Sequence, residues 1–440
     1  MNVGFISLGC SKNLLDTEMA IGLFKNHAYT IVNDPKQADI IVVNTCGFIE
    51  SAKEEAIQTI LEMAKYKEKR CKILIAMGCL VQRYQKELEK ALPEVDLFLS
   101  IRDYDTIWEK IEKVIGTNHI DNSCQTLEYM EREVSTGKKM AYLKIAEGCN
   151  NRCTYCAIPF IRGPYISRKK EDILEEAKML AKKGIEEIVV IAQDTTKYGL
   201  DLYPDYGLAE LLQDLEKIEG FHWIRFLYAY PESITDKLIQ VVKNSQKICH
   251  YFDIPLQHIS NRVLKRMNRK SDEESIRKLL QTIKTEIPDV VLRTTFIVGF
   301  PGETEEDFQK LYDFVKEIRF DRMGVFSYSK EDGTPAARLK EQIHPMTKKK
   351  RYRILMELQQ EISKQKLQEQ IGKTCEVLVE NTSFDGKYAI ARSYREVPDM
   401  DGIIYIKNPK RENWQDQFIQ VKIVDSLEYD VIAEKIEKVK

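Results

Sequence analysis

The sequence predicts an α/β protein in three parts. These are an N-terminal open parallel α/β sheet domain over residues 1–118, a central partial (β/α)6 barrel over 139–370 and a small C-terminal β-barrel over 371–440. A polar linker over 119–138 joins the first two. Three observations predict this: strands and helical repeats alternate over the first ~115 residues, six more strand-helix units follow, and after Gly372 the pattern turns to short strands alone.

In the first part, "VGFISL", "DIIVVN", "KILIAM" and "VDLFLS" read as strands, with helical periodicity over Asn13–His27, Glu50–Tyr66 and Val81–Leu92 between them. The stretch from Gly116 to Lys138 is polar and irregular. The barrel strands are "MAYLKIA", "EIVVIA", "WIRFLY", "HYFDIPL", "VLRTTFIV" and "RMGVFSYS", two units short of a complete eight-unit barrel. Glu171–Lys183 and Glu305–Ile318 are among the helices that separate them, and "TKKKRYRILMELQQEISKQKLQEQ" makes one long charged helix. The tail reads as the strands "CEVLVE", "YAIARS", "GIIYIK" and "FIQVKIVDS".

Composition narrows the class. Lys and Arg number 67 against 69 Asp and Glu, so no overall basic field points to nucleic acid. The start "MNVGFISLGC" lacks the basic flank and cleavage site of a signal peptide, and no apolar run reaches the ~18 residues of a membrane span. A cytoplasmic location is expected, and there the ten cysteines are better explained as metal ligands or catalytic groups than as disulfides.

Six of those cysteines have a telling context. Cys149, Cys153 and Cys156 form a C-x₃-C-x₂-C loop, "CNNRCTYC", just after the first barrel strand, where active sites of parallel barrels lie. The spacing leaves zinc and an iron–sulfur cluster open. Zinc would need a fourth ligand, and the nearest upstream histidine is His119, thirty residues away. A three-cysteine iron–sulfur cluster instead keeps one iron open for a bound molecule. Cys10, Cys46 and Cys79 each end an apolar strand, in "VGFISLGC", "DIIVVNTC" and "KILIAMGC". Strand ends of an open parallel sheet line its ligand crevice, so these thiols can converge. Gly9, Thr45 and Gly78 beside them leave room. Cys71, Cys124, Cys249 and Cys375 have no such setting.

The loop "CNNRCTYC", with an aromatic before its third cysteine, resembles the signature of the radical S-adenosylmethionine superfamily. Together with the N-terminal trio and the C-terminal β-domain, which corresponds to a TRAM domain, the chain is similar along its whole length to the methylthiotransferases of that superfamily. "SLGCSKN", "NTCGFIESAKEE", "GCLVQRY" and "IAQDTTKYG" resemble the branch that modifies an aspartate of a small-subunit ribosomal protein. Ser11 stands where many of that branch have proline. The resemblance implies two 4Fe-4S clusters, on Cys149, Cys153, Cys156 and on Cys10, Cys46, Cys79, and two S-adenosylmethionine molecules per turnover. One would methylate a sulfide at the N-terminal cluster. The other would be cleaved at the barrel cluster to a radical that takes hydrogen from the aspartate β-carbon. It also implies a low-potential electron donor such as flavodoxin or ferredoxin, and it places Tyr155 near the adenine.

Further cofactor contacts are expected at strand ends: Gln193 and Asp194 in "IAQDTTKYG", Gln257 and His258 in "DIPLQH", and Gly299 and Gly302 in "IVGFPGET". Strand-end polar punctuation is the plainer reading of each. Two alternatives for the whole chain are the same chemistry on a tRNA adenosine, and an iron–sulfur electron carrier or RNA-binding protein. The tail from Gly372 carries 8 Lys and 3 Arg against 13 Asp and Glu, a net of −2. That balance suits a basic protein partner better than phosphate, with Asp399 and Asp401 expected on the recognition surface. The aromatics Phe384, Tyr388, Tyr394 and Tyr405 are expected to fill the small barrel rather than stack bases.

Overall fold

The computed structural model describes residues 1–116 and 126–437. His119, Cys124, the expected boundary at 118 and the first part of the expected linker lie outside the described residues.

The N-terminal part runs β1 (Asn2–Ser7), α1 (Ser11–Asn26), β2 (Thr30–Val32), β3 (Ile40–Thr45), α2 (Glu50–Ala64), β4 (Ile73–Gly78), α3 (Cys79–Ala91), β5 (Leu97–Leu99) and α4 (Ile107–Ile115). Its five strands pair in parallel in the order β2-β1-β3-β4-β5. β3 and β4 are buried along their whole length, which explains their unbroken apolar runs. β2 and α4 escape the sequence reading. β2 is a three-residue edge strand, and α4 is a nine-residue helix that buries Ile107, Trp108 and Ile111.

The central part runs β6 (Met140–Lys144), β7 (Ala146–Glu147), α5 (Ile158–Arg162), β8 (Ile166–Ser167), α6 (Lys170–Lys182), β9 (Glu187–Ile191), α7 (Leu208–Glu216), β10 (Trp223–Phe226), α8 (Asp236–Asn244), β11 (Tyr251–Gln257), α9 (Asn261–Arg266), α10 (Glu273–Glu286), β12 (Val291–Val298), α11 (Glu305–Ile318), β13 (Arg322–Ser327) and α12 (Pro345–Gln368). The six main strands form two parallel three-stranded sheets, β6-β9-β10 and β11-β12-β13, joined by a single bridge between Ile224 and Ile248. Alternation along each strand separates two faces. Ala141, Leu143, Ile188, Val190, Ile224 and Phe226 pack outward against the helices.

The opposite, concave face is closed by the other two parts. Met140, Tyr142, Val189, Ile191, Trp223 and Tyr251 share one apolar cluster with Leu15 and Met19 of α1 and with Leu378 and Val397 of the C-terminal domain. That domain is a closed barrel of β14 (Thr374–Thr382), β15 (Tyr388–Arg392), β16 (Ile404–Lys407), β17 (Phe418–Ser426) and β18 (Val431–Lys435), in the order β14-β15-β16-β18-β17. Here the aromatic expectation fails. Val377, Val379, Ala389, Ala391, Ile404, Ile406 and Trp414 fill this barrel. Tyr388 and Tyr405 alternate outward and meet edge to face at 6.0 Å, while Phe384 is fully exposed at the β14–β15 turn. Tyr394 leaves its own domain and donates to the Asp289 carbonyl at 3.2 Å.

The segment after residue 126 is irregular, as its polarity suggests, yet it is locked in place. Arg132 is completely buried, pairs with Glu18 of α1 and with Glu176 of α6 at 2.9 Å, and donates to the Tyr142 carbonyl at 2.6 Å. Removing one partner of such a network strands the other charges and costs about 3–5 kcal/mol. Arg132→Ala is therefore expected to lower the urea midpoint far more than Lys25→Ala, which breaks an exposed pair with Glu133 worth at most about 1 kcal/mol. Unfolding followed by circular dichroism reads both, and equal midpoints would contradict the interlock.

Candidate functional site: two trios of thiols at one domain junction

Each cysteine of the first trio follows a strand of the N-terminal sheet. Cys10 caps α1, Cys46 directly follows β3, and Cys79 opens α3. Backbone N–H groups at the starts of α1 and α3 thus face the place where negative charge on thiolates would gather. Gly9 has φ +88°, and a Cβ there would lie 2.7 Å from the Cys46 Cβ. Gly78 has φ +98°, and a Cβ there would lie 2.2 Å from the Asn44 Oδ1. Both conformations disfavour any L side chain, and both close approaches let the cysteine loops converge. Burial pushes the thiols of Cys46 and Cys79 up, the latter to about 12, and proximity to Cys10 adds to both shifts.

The second trio lies in the loop between β7 and α5. Burial is again the main cause that raises Cys149 and Cys156, with the neighbouring Cys153 adding to each. Asn151 of this loop donates to the buried Asp194 at 2.7 Å, and Thr196 donates to the other oxygen of that carboxylate at 2.6 Å. Burial raises Asp194 above the usual carboxylate range. Asp194 therefore acts here as the anchor of the cysteine loop. Gln193 donates to Glu147 at 2.8 Å and keeps a buried Oε1 without a partner.

Other expected residues are placed less directly. Tyr155 is half-buried and meets Phe300 edge to face at 6.5 Å. Gln257 takes φ +70° where β11 bulges against β12. His258 is fully buried, accepts from the Ser260 amide at 3.0 Å, and is held by burial at about 3. Gly299 and Gly302 are crowded by the side chains of Lys348 and Arg266. Their tight approach is thus to this chain's own residues.

Further residues missed by sequence reasoning complete the site. Arg269 brings a guanidinium nitrogen to 3.9 Å from the Cys153 sulfur, packs 4.2 Å over the ring of Tyr230, and retains a buried Nε without a partner. Neither Arg269 nor Tyr230 sits near a cysteine in sequence, so only folding reveals them. Arg162, six residues past Cys156, donates to the Cys79 sulfur at 3.3 Å and to Asn13 Oδ1 at 2.6 Å, and pairs with Asp16 at 2.7 Å. It physically links the barrel loop to the first trio. Burial alone would raise Glu147, but Lys144 and Arg162 outweigh it and hold that carboxyl at about 2.

Among the described residues, no three His, Cys, Asp or Glu side chains close on a single point. A structural zinc site takes four protein ligands, whereas each trio offers three thiols, a donor set that fits an iron–sulfur cluster with one iron left open.

Comparison with known proteins agrees. Residues 2–100 match the uncharacterized protein family UPF0004, 143–315 the Radical SAM superfamily and 371–436 the TRAM domain. The ribosomal protein uS12 methylthiotransferase RimO of Alkaliphilus oremlandii is 61% identical over 434 residues, 99% of each chain. The chain belongs to the RimO family of radical S-adenosylmethionine methylthiotransferases. The protein of that name from Acetivibrio thermocellus is 49% identical, over 99% of this chain and 98% of its own.

In fold, the family member is similar to the radical S-adenosylmethionine methyltransferase TsrM of Kitasatospora setae, solved with cobalamin and a [4Fe-4S] cluster. The TM-score is 0.58 at 12% identity, covering 76% of each chain. As a methylthiotransferase of this family, the chain is an enzyme that uses S-adenosylmethionine and iron–sulfur chemistry. No helix of the described residues is long and apolar enough to cross a membrane.

The thiols of the first trio differ in how open they are, which gives a direct test. In metal-free protein at pH 8, iodoacetamide is expected to label the exposed Cys10 fast. Cys79 should resist, because its thiol is buried and pushed to about 12. Peptide mapping by mass spectrometry reads the order, and equal labelling of the two would contradict the burial of Cys79.

Proposed function

We propose that this enzyme inserts a methylthio group at the β-carbon of an aspartyl residue in ribosomal protein uS12, consuming two S-adenosylmethionine molecules per turnover. The observation that carries this reading is the 61% identity over 99% of the chain to a protein named for that substrate. The separation of six thiols into two trios supports the chemistry. An aspartate β C–H carries no proton that a side-chain base can remove at neutral pH, so acid–base groups alone would not suffice. When bound, the two clusters and their S-adenosylmethionine supply a hydrogen-abstracting radical and a methylated sulfur.

The chain's own residues set the stage for that chemistry. Cys149, Cys153 and Cys156 would hold the radical-generating cluster, and Cys10, Cys46 and Cys79 the sulfur-carrying one. Asn151, Asp194 and Thr196 fix the barrel loop. Arg269 places positive charge beside Cys153, and Arg162 orients Cys79 while joining the two sites. Tyr155 and Tyr230, both packed near Arg269, wall the barrel site. Tyr155, Gln193, Asp194, Gln257, Gly299 and Gly302 remain the proposed cofactor-binding set, with Asp194 and the two glycines acting through the loops they shape. A low-potential donor of the flavodoxin or ferredoxin class would provide the electron, and the reaction would take place in the cytoplasm.

Two measurements test this reading. Anaerobically reconstituted enzyme should carry about eight irons, and the triple Cys149, Cys153, Cys156→Ala variant about half as many. Incubated with S-adenosylmethionine and reductant, the wild type should add one methylthio mass to uS12 and none to unmodified tRNA. A modified adenosine with untouched uS12 would replace this substrate assignment with the tRNA one.

A further inference from the structure

One cation at the junction of the two trios is left without a counter-charge. Lys12 lies in the first turn of α1, two residues past Cys10. It retains only 7% of its exposure, and its ammonium sits 3.1 Å from the centre of the Tyr228 ring. No carboxylate pairs with it among the described residues. Asp16, one turn further along α1, is already bound by Lys144 at 3.1 Å and by Arg162 at 2.7 Å. Asp253, which accepts from the Tyr228 amide at 3.0 Å, is paired with Arg293 at 2.8 Å.

The surface beneath this cation is unusual as well. Tyr228 adopts φ +62°, a left-handed conformation that a bulky aromatic residue rarely takes. It is held there just past the end of β10 by its N–H, which donates to the Asp253 carboxylate, and by its carbonyl, which accepts from the Thr195 amide at 3.2 Å. Thr195 directly follows Asp194, the anchor of the barrel cysteine loop. Two residues beyond Tyr228 is Tyr230, under the guanidinium of Arg269 that reaches Cys153. Lys12 is thus tied through α1 to the first trio and through Tyr228 to the second. Strained backbone of this kind persists where surrounding structure over-determines it, and it clusters at functional sites.

A buried ammonium with only an aromatic face for company is incompletely compensated. We propose that Lys12 is the specificity residue that receives the carboxylate of the substrate side chain, holding an aspartate between the two trios. This rests on the aspartate reading of the function and adds to it the group that recognises the acid. The ammonium selects a negative charge that an asparagine, or a neutral nucleobase, does not offer. Tyr228 keeps the lysine stem extended while the site is empty of substrate, and the arriving carboxylate completes the ion pair.

The test is a double-mutant cycle on reconstituted holoenzyme with S-adenosylmethionine present. Wild type, Lys12→Met and Lys12→Arg are titrated with full-length uS12 and with uS12 in which the acceptor aspartate is asparagine. Lys12→Met should weaken binding of the native protein on the order of tenfold, and the asparagine change should weaken binding to wild type equally. Combined, the two changes should cost no more than either alone, and Lys12→Arg should recover most of the loss.

Additive losses, or unchanged binding by Lys12→Met, would overturn the assignment. Additive losses with a shifted reduction potential of the N-terminal cluster would reassign Lys12 to balancing the cluster's own charge. Iron content and the circular dichroism spectrum identify a variant that has merely failed to fold, and Lys12→Gln then carries the cycle. If wild type adds no methylthio mass to uS12, the functional reading itself falls and Lys12 with it. That result is distinct from product formation with an additive cycle, which sinks Lys12 alone.

Discussion

The structure depends on how an open barrel neutralises the charges it turns inward. Six strands do not close on themselves, so the concave face cannot fill with its own side-chain layers as an eight-stranded barrel does. Instead Lys144, Glu187, Arg225, Asp253 and Arg293 alternate with apolar residues along that face. Buried charge is tolerated only when paired, and much of the pairing comes from outside the barrel. Asp16 of α1 meets Lys144. Arg392 of β15 meets Glu187 at 2.6 Å, and Arg225 meets the same carboxylate at 3.2 Å. Asp401 of the C-terminal domain accepts from Tyr251 at 2.6 Å and lies 3.7 Å from Arg293. Each flanking domain thus supplies charges that the barrel cannot do without.

That requirement also sets the geometry of the site. The helix that brings Asp16 to Lys144 begins at Cys10 and carries Lys12 and Asn13. The helix that follows Cys156 carries Arg162, which binds Asp16, Asn13 and the Cys79 sulfur together. Cys79 also packs against Ala157 and Ile161 of that segment. A second contact fixes the same two domains from another side: Glu331, after β13, accepts both Arg83 at 3.1 Å and Lys53 at 3.2 Å. Under the proposed function the two trios would cooperate on one substrate carbon, and these contacts hold their two domains together as such positioning demands.

How much of this the sequence announced follows from how local each signal is. All six barrel strands and the four principal N-terminal strands were legible, because buried parallel strands carry continuous apolar runs. β18 was not, since "VIAEK" is a five-residue segment with charge at its end, and its partners β17 and β16 show only in the closed barrel. The six cysteines stood out by spacing and by strand-end placement. Arg162, Arg269, Tyr230 and Lys12 did not, because each acquires its meaning from a partner far along the chain. The polar character of residues 126–138 suggested a free linker, yet Arg132 there is among the most buried side chains. A buried arginine and a solvated one look the same in sequence, and only Glu18 and Glu176, 114 and 44 residues away, distinguish them.

The same point reshapes the argument from charge. The C-terminal domain is mildly acidic, and Asp399 and Asp401 were natural candidates for meeting a basic partner. Asp399 is exposed, but Asp401 is buried against Tyr251, Arg293 and the Val397 amide. Reversing its charge would pry the domain from the barrel before it altered any docking surface. Glu396 is likewise committed to Arg322 at 3.0 Å and Ser393, and Glu380 to Arg392 at 2.7 Å. Carboxylates already paired inside the molecule present no field to a partner, so the net charge of this domain describes its interface with the barrel more than any recognition of substrate. The charge of this domain therefore does not decide between a protein and a nucleic acid, and under the proposed function that discrimination would fall to the junction of the two trios, where the acceptor group would be held.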